Sequence, residues 1–414
     1  MLDDLPAPES GSRAEVPMLV MRATAQLGAG DKDEARRSLD RALAAAPKDT
    51  EVLLAQARLA WAEGDPAKAG QFVDQALRVT PQHRDAWLLK GDLLRAGGKT
   101  GDAARAYQAA LRIDPAHDGA RLALAGLALM EKRYGDARRG VDVVLKASPN
   151  HLQGRYTLAL IEFRENKPEA ARDHLAAVLK AAPDYLPAAL LAGSVEFALG
   201  NMQTAESHLN KVVQAHPRNA YALRMLAAAQ LRQGRADDAA RTLAAVPDSA
   251  HDAGYLLIAG EVALAKKDFD QAAEHFERAA QLNPGSAAIR TELGVARLAG
   301  GDARAMADLQ AAAAMEGSSS RADTLIILNQ LKQEKFDAVL ASIAALEKKQ
   351  GASPLTWNYR GAAHLGKKDT TKARDAFGQA LKLDPKFFPA AANLAKLDLV
   401  DKQPAKARQR FEAI

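Results

Sequence analysis

Proline returns at a fixed interval through the first half of this 414-residue chain. Six prolines stand 34 residues apart, at Pro47, Pro81, Pro115, Pro149, Pro183 and Pro217. A period of about 20–50 residues is typical of architectures in which one supersecondary unit is copied along the chain. The interval therefore requires a fold that is built from stacked copies of a single unit.

Further copies follow the last of these prolines with one-residue slips. With the proline taken as position 32, the repeats begin at residues 16, 50, 84, 118, 152, 186 and 220, and then near 253, 287, 320, 354 and 388. Residues 16–414 are predicted to form one array of about twelve repeats, the last of them incomplete. Residues 1–15 are predicted to be an N-terminal linker or part of a preceding repeat.

Each repeat has the pattern of a helix hairpin. Alanine, the best helix former, is abundant, and aromatic residues make up only 5% of the chain. Position 8 is small in eleven of the twelve repeats, and position 24 is mostly large and apolar, as interdigitated packing of two helices requires. Because one hairpin cannot bury its apolar face alone, the pattern predicts an all-α, right-handed solenoid.

A tight turn is expected between the two helices of each repeat. Position 15 is glycine in six repeats, for example Gly64, and glycine reaches positive φ without steric cost. Asn166 or a lysine such as Lys132 is predicted to take the same conformation where glycine is missing. The ninth repeat leaves two alternatives for position 24, because either Gln310 occupies it or a shift of one residue places Leu309 there.

The most complete repeats resemble a known motif. The third repeat has Trp87, Gly91, Ala103, Tyr107, Ala110 and Pro115, and the eleventh has Trp357, Gly361, Ala373, Phe377, Ala380 and Pro385. These residues and their spacing are similar to the tetratricopeptide repeat, and the similarity extends over residues 16–414. The resemblance implies a surface for binding proteins.

Charge and motif content disfavour several other classes of protein. Lys plus Arg number 56 and Asp plus Glu 51, a net charge of +5 with both signs interspersed, which predicts a solvated surface and no nucleic-acid partner. No uninterrupted apolar run is long enough to form a transmembrane segment. Cysteine is absent, and no phosphate-binding glycine loop or hydrolase motif occurs. The chain is predicted to be no enzyme and to need no cofactor or metal.

Three histidines repeat with the same period as the prolines. His83, His117 and His151 stand 34 residues apart. Equivalent positions in neighbouring hairpins lie on the order of 10 Å apart, whereas zinc binds imidazole nitrogens at about 2.0–2.1 Å. A shared metal site is therefore excluded, and the histidines are interpreted as residues of the loops between repeats.

The first helix of each repeat carries the candidate binding residues. Position 12 is apolar in every repeat except the third, where it is Arg95, and positions 2, 5, 9 and 12 are expected to line the concave face of the solenoid. Aromatic residues and arginine dominate binding hot spots. We predict partner binding by Tyr156, Phe163, Phe197, Tyr221 and Arg224, with a second cluster at Trp61 and Arg95. The apolar row could instead serve only to pack neighbouring repeats.

Two segments support a closer resemblance. Residues 179–213 and 382–414 are similar to the long tetratricopeptide lipoproteins of bacterial exosortase/PEP-CTERM systems, the PrsT family. The resemblance implies a non-enzymatic scaffold that is exported as a periplasmic or outer-membrane lipoprotein and works with the exopolysaccharide export and protein-sorting machinery. The chain carries neither a signal peptide nor a lipidation cysteine and about half the expected repeats, and we interpret it as a fragment.

Two other functions remain open at this point. The chain could be a cytoplasmic adaptor or regulator, or the substrate-recruiting arm of a larger enzyme. The sequence does not distinguish a protein partner from a polysaccharide.

Overall fold

The described residues of the computed structural model, 15–315 and 317–414, contain 24 α-helices and no β-strand. The helices of the first half are α1 Val16–Gly28, α2 Lys32–Ala45, α3 Thr50–Ala62, α4 Pro66–Val79, α5 Arg84–Ala96, α6 Thr100–Ile113, α7 Asp118–Met130, α8 Tyr134–Ala147, α9 Leu152–Arg164, α10 Pro168–Ala181, α11 Leu186–Ala198 and α12 Met202–Ala215. Those of the second half are α13 Ala220–Arg232, α14 Ala236–Ala244, α15 Ala253–Ala265, α16 Phe269–Leu282, α17 Ala287–Gly300, α18 Ala305–Ala314, α19 Ser320–Lys332, α20 Phe336–Gln350, α21 Pro354–Gly366, α22 Thr370–Leu383, α23 Phe388–Val400 and α24 Pro404–Glu412. Of the predicted N-terminal linker, only Glu15 belongs to the described residues.

The chain divides into two compact units, residues 1–208 and 209–414, and the division falls within α12. In the first unit each helix from α1 to α11 packs on its neighbour in sequence, and α1 contacts α3, α5 contacts α7, and α7 contacts α9. In the second unit α13 contacts α15, α19 contacts α21, and α21 contacts α23. Each unit is therefore an all-α solenoid of stacked helices, and the predicted fold class is confirmed.

The turns inside the helix pairs share one left-handed residue. Position 15 has positive φ in all twelve, and six of these residues are glycines. The other six are Lys132, Asn166, Lys267, Glu334, Lys368 and Lys402, with φ between 55° and 62°. The predicted substitution of Asn166 and Lys132 for glycine is confirmed.

The core is a series of small clusters rather than one centre. One cluster joins α3, α4 and α5 through Leu53, Val73 and Leu89, and another joins α9, α10 and α11 through Ala159, Leu175 and Leu191. Each cluster combines one helix pair with the first helix of the next pair. This arrangement explains why an isolated pair would leave an apolar face exposed to water.

Small and large side chains meet where the two helices of a pair cross. A Cβ atom added to Gly260 would lie 2.5 Å from Cε1 of Phe276, closer than real Cβ contacts allow. In the ninth pair a Cβ atom on Gly294 would lie 2.7 Å from Cδ2 of the fully buried Leu309. Leu309 therefore takes the place of the large residue there, which decides between the two alternatives for position 24.

Two short second helices, α14 and α18, follow departures from the repeat. α14 has nine residues, and Pro247 and a 3₁₀ turn at Asp248–Ala250 follow it. α18 has ten residues and begins after Arg304, and this pair uses Leu309 instead of Gln310. Both helices still bury an apolar residue against their neighbours, Leu243 in α14 and Leu309 in α18.

Candidate functional site

Each unit taken by itself has a row of position-12 side chains on its first helices, and most of these side chains are partly buried. We call the row of either unit the ridge; its residues are Leu27, Trp61, Arg95, Leu129, Phe163 and Phe197 in the first unit and Leu231, Leu264, Leu298, Leu331, Leu365 and Leu399 in the second. Most of them pack with one side on the core cluster of their own pair and leave the other side accessible. Near the end of the chain, Leu365 is 38% exposed and Leu399 56% exposed.

Tyr156, Phe163 and Phe197 all lie in the first unit and are half-buried. Tyr156 and Phe163 pack against the cluster formed by α9, α10 and α11. The ring of Tyr156 meets Tyr185 edge-to-face with centroids 5.5 Å apart, and burial raises the pKa of the Tyr156 hydroxyl. Tyr156 thus contributes to packing between helix pairs and is held in one orientation.

Tyr221 and Arg224 lie on α13 in the second unit, and Tyr221 is 45% exposed. The Arg224 guanidinium pairs with Asp252, and this hydrogen bond holds the pKa of that carboxyl below its usual range. Asp252 also accepts the amide of Tyr255 at 3.0 Å and caps α15. Arg224 therefore links α13 to the start of α15, a structural role that the sequence analysis did not predict.

Trp61 and Arg95 stand on neighbouring first helices. Trp61 is half-buried against the cluster of α3, α4 and α5. Arg95 is exposed, and its Nη2 lies 4.0 Å from Oδ1 of Asp92. Cation–π contacts are formed by Lys90 over Trp87 and by Arg360 over Trp357. The partner-binding role of all seven predicted residues stays a prediction.

The periodic histidines are helix caps. Nδ1 of His83, His117 and His151 accepts the amide of the residue three positions later, at 3.2, 3.3 and 3.1 Å. An accepting Nδ1 leaves the proton on Nε2, which donates to Glu51 from His83 at 3.0 Å and to Asp85 from His117 at 2.9 Å. Each of these two hydrogen bonds joins the loop before one repeat to the first helix of the preceding repeat. Each of these histidines stands immediately before the start of a repeat, which is the N-cap position of the first helix. This placement could have identified them as caps from the sequence.

A second set of polar residues was missed by the sequence analysis. Position 11 of the first helix is buried or half-buried and bonds position 23 of the second helix in several pairs. Ser38 donates to Gln26 at 3.0 Å, Thr242 to Gln230 at 2.8 Å, and Ser342 to Gln330 at 2.9 Å. Asp398 and Arg410 form an ion pair at the same two positions. The signal was a complementary polar residue twelve positions after most of the polar residues at position 11.

Within residues 15–315 and 317–414, no group of three metal-ligating side chains converges. None of the described helices combines the length and apolar content needed to cross a bilayer. The ridge is therefore the feature around which a functional proposal can be built.

Stacked helix pairs of about 34 residues with an accessible apolar ridge define an α-helical repeat protein. Models of the tetratricopeptide repeat match this chain repeatedly, at residues 20–84, 54–118, 156–217 and 258–322 for one model, 94–161 and 196–259 for a second, and 354–387 for a third. The chain belongs to the tetratricopeptide repeat family, whose repeats are typical of protein-interaction scaffolds. Curated proteins give no match.

Solved structures of other repeat proteins are similar in fold. A tetratricopeptide repeat protein from Parabacteroides merdae is 19% identical, with 60% of this chain and 98% of that chain covered and a TM-score of 0.44. The pilF protein of Pseudomonas aeruginosa is 17% identical, with 52% and 99% covered and a TM-score of 0.43. The APC/C hetero-tetramer Cut9–Hcn1 is 13% identical, with 95% and 92% covered and a TM-score of 0.45.

Proposed function

We propose that this chain is a non-enzymatic scaffold that binds an extended or helical segment of a partner protein along the ridge. The observation that supports the proposal is the recurrence of a partly accessible apolar side chain on successive first helices. Accessible apolar side chains that recur on one face are a common mark of an interaction site in a protein that is otherwise well solvated. In the first unit, Tyr156, Phe163 and Phe197 supply the aromatic anchors.

The partner is proposed to belong to bacterial exopolysaccharide export and PEP-CTERM sorting. This part rests on the resemblance of residues 179–213 and 382–414 to the PrsT lipoproteins. The alternatives are a cytoplasmic adaptor and the recruiting arm of a larger enzyme. The complete reading frame distinguishes them, because an exported lipoprotein requires a signal peptide with a lipidation cysteine and an enzyme requires a catalytic domain.

Site-specific cross-linking tests the ridge directly. A photoreactive benzoylphenylalanine in place of Phe163 should capture the partner in cells of the source organism, and the partner is then identified by mass spectrometry. The same group in place of Arg172, an exposed residue on α10 of the same helix pair, is the control. Equal capture from both positions would contradict binding at the ridge.

The identified partner is then used to measure affinity. Phe163→Ala with Phe197→Ala should weaken binding at least about tenfold, because truncating an aromatic hot spot commonly costs about 2 kcal/mol. Phe163→Leu keeps an aliphatic side chain on the core cluster and should have a smaller effect. Thermal unfolding is followed in parallel. Unchanged affinity, or loss of the fold in the double variant, would refute the assignment.

A further inference from the structure

Three adjoining cavities lie on the surface of α4, α5 and α6 in the first unit. Their volumes are about 210, 370 and 390 Å³. Lys90 and Leu94 line both the first and the second cavity, while Trp87 and Arg112 line both the second and the third. The three cavities therefore form one continuous depression, which we call the Trp87 trough.

The Trp87 trough is on a different side of α5 from the ridge. Trp87 and Leu94 stand at positions 4 and 11 of the repeat, whereas the ridge residue of α5 is Arg95, at position 12. Successive residues of an α-helix are about 100° apart around its axis, so positions 4 and 11 point about 80–100° away from position 12. A ligand in the trough would leave the ridge free.

The trough is open because the residues on α6 are small. Position 23 is Ala106 here, and Ala109 stands three residues later on the same face. In the seventh helix pair, position 23 is Thr242, which bonds Gln230 and closes the space between the helices. The third pair has Leu94 instead of a polar residue at position 11, so no such bond bridges the gap.

The indole ring of Trp87 is fixed before any ligand arrives. Its Nε1 donates to the carbonyl of Pro81 at 2.9 Å, and Nζ of Lys90 lies 5.4 Å from the ring centroid. The ring is half-buried between the core clusters on either side of α5. A rigid aromatic wall of this kind lowers the entropy cost of binding.

The charge of the trough is positive. Its lining includes Lys90, Lys99, Arg105 and Arg112 against two carboxylates. Lys90 pairs with Asp74 at 3.0 Å, and Arg105 pairs with Asp102. In the described chain no carboxylate is within ion-pair distance of Lys99 or Arg112, both of which are exposed. Two cations are thus available to a ligand beside an aliphatic and aromatic floor.

We propose that the Trp87 trough docks an acidic peptide segment that carries a large apolar side chain. The apolar side chain occupies the cavity between Trp87 and Ala109, and carboxylates on either side pair with Lys99 and Arg112. The cavities are at the small end of the size range of ligand sites, which suits a few side chains. Two available cations are too few for a nucleic acid, whose binding typically involves about 6–10 phosphate contacts. This inference is independent of the ridge.

Fluorescence polarisation with synthetic decapeptides tests the chemistry of the ligand. The probe alternates glutamate with leucine or phenylalanine and should bind the full chain, more weakly at higher salt. Replacing the apolar residues by glycine, or the glutamates by lysine, should each abolish most of the binding. Equal binding of the glycine peptide, or of an alginate oligosaccharide, would overturn the assignment to an apolar acidic peptide.

Charge reversal locates the site. The double variant Lys99→Glu with Arg112→Glu should bind the probe about tenfold more weakly, since two favourable charge pairs become repulsive. Lys180→Glu is the matched control, because Lys180 is exposed and occupies the same repeat position in the fifth pair as Arg112 does in the third. A similar loss in both proteins would show that only overall charge matters and would contradict the proposal.

A proximity measurement gives an independent readout. The chain has no cysteine, so Gln82→Cys, at the edge of the third cavity, provides a single thiol. A bromoacetyl group on the end of the probe should alkylate this thiol much faster than the thiol of Asn150→Cys, at the equivalent exposed position two repeats later. Equal rates at the two thiols would overturn the docking site.

Discussion

At the scale of single residues, the contact between a glycine of the first helix and a large side chain of the second sets how closely the two helices approach. Gly91 faces Tyr107, Gly260 faces Phe276, and Gly294 faces Leu309. All three large side chains are fully buried. Because protein interiors are close-packed, a single added methyl group cannot be accommodated without moving the ring or the helix.

This contact leads to the first prediction. In Gly361→Ala the new Cβ atom would lie 2.5 Å from Cδ1 of the buried Phe377, so we expect the free energy of unfolding to fall by about 1–3 kcal/mol. Urea denaturation monitored by circular dichroism measures the change.

A second glycine in the same helix pair is the control. Gly378 is helical and has open space where its Cβ atom would be, so Gly378→Ala should stabilise the protein by about 0.5–1 kcal/mol. If the two substitutions changed stability in the same direction, the close contact would not be what limits position 8.

Residue by residue, some contacts were predictable from the sequence and others were not. The small and large columns were visible because each depends on residue size at one position. The histidine caps were not recognised, because the sequence does not show whether Nδ1 of a histidine before a helix accepts a backbone amide or the ring faces water. His83 and His117 became interpretable only with the bonds to Glu51 and Asp85.

At the scale of helices, the polar pairs between positions 11 and 23 hold the two helices of a pair in register. Gln230 is 8% exposed and its side-chain oxygen accepts from Thr242. A buried polar group that loses its partner costs more than the net value of the bond. These pairs therefore favour the register in which both partners meet over any shifted arrangement of the two helices.

A double-mutant cycle measures this coupling. Gln230→Leu and Thr242→Val are each expected to cost about 1–2 kcal/mol, because each leaves the other side chain without its hydrogen bond. The double variant should cost less than the sum of the two single changes. Additive losses in urea denaturation would mean that the bond contributes nothing to the register.

The period was enough to predict the helices, whereas the contacts of the predicted binding residues could not be predicted from it. Proline, glycine and alanine at fixed intervals were enough to predict helix pairs, since each acts through local backbone preferences. The partial burial of Phe163 and Tyr156 depends on contacts with the next pair along the chain, and Arg224 is tied to Asp252 of α15. Such contacts between pairs are not encoded at any single position.

At the scale of the whole molecule, burial lowers the pKa of three histidines, His174, His275 and His364. The unfolded chain therefore binds protons more readily than the folded one just below the ordinary histidine pKa of about 6.5. The stability associated with these groups is present above that pH and is lost as the pH falls through it. Glu261 acts in the opposite direction, because burial raises its pKa.

The corresponding prediction compares wild type with His174→Gln and His275→Gln combined. We expect wild type to lose more free energy of unfolding between pH 7.5 and pH 5.5 than the variant does, since glutamine takes up no proton in that window. Urea denaturation at the two pH values gives the difference directly, and Glu261 affects both proteins alike. An identical loss in the two proteins would show that these histidines are not responsible.

The polar pairs also bear on how such a chain changes length. Both members of each pair, such as Gln26 with Ser38 or Gln330 with Ser342, are encoded within one stretch of 34 codons. A duplication or deletion of that stretch copies or removes a donor together with its own acceptor. Arrays of this design can therefore grow or shrink during evolution by whole repeats without separating the two members of such a pair.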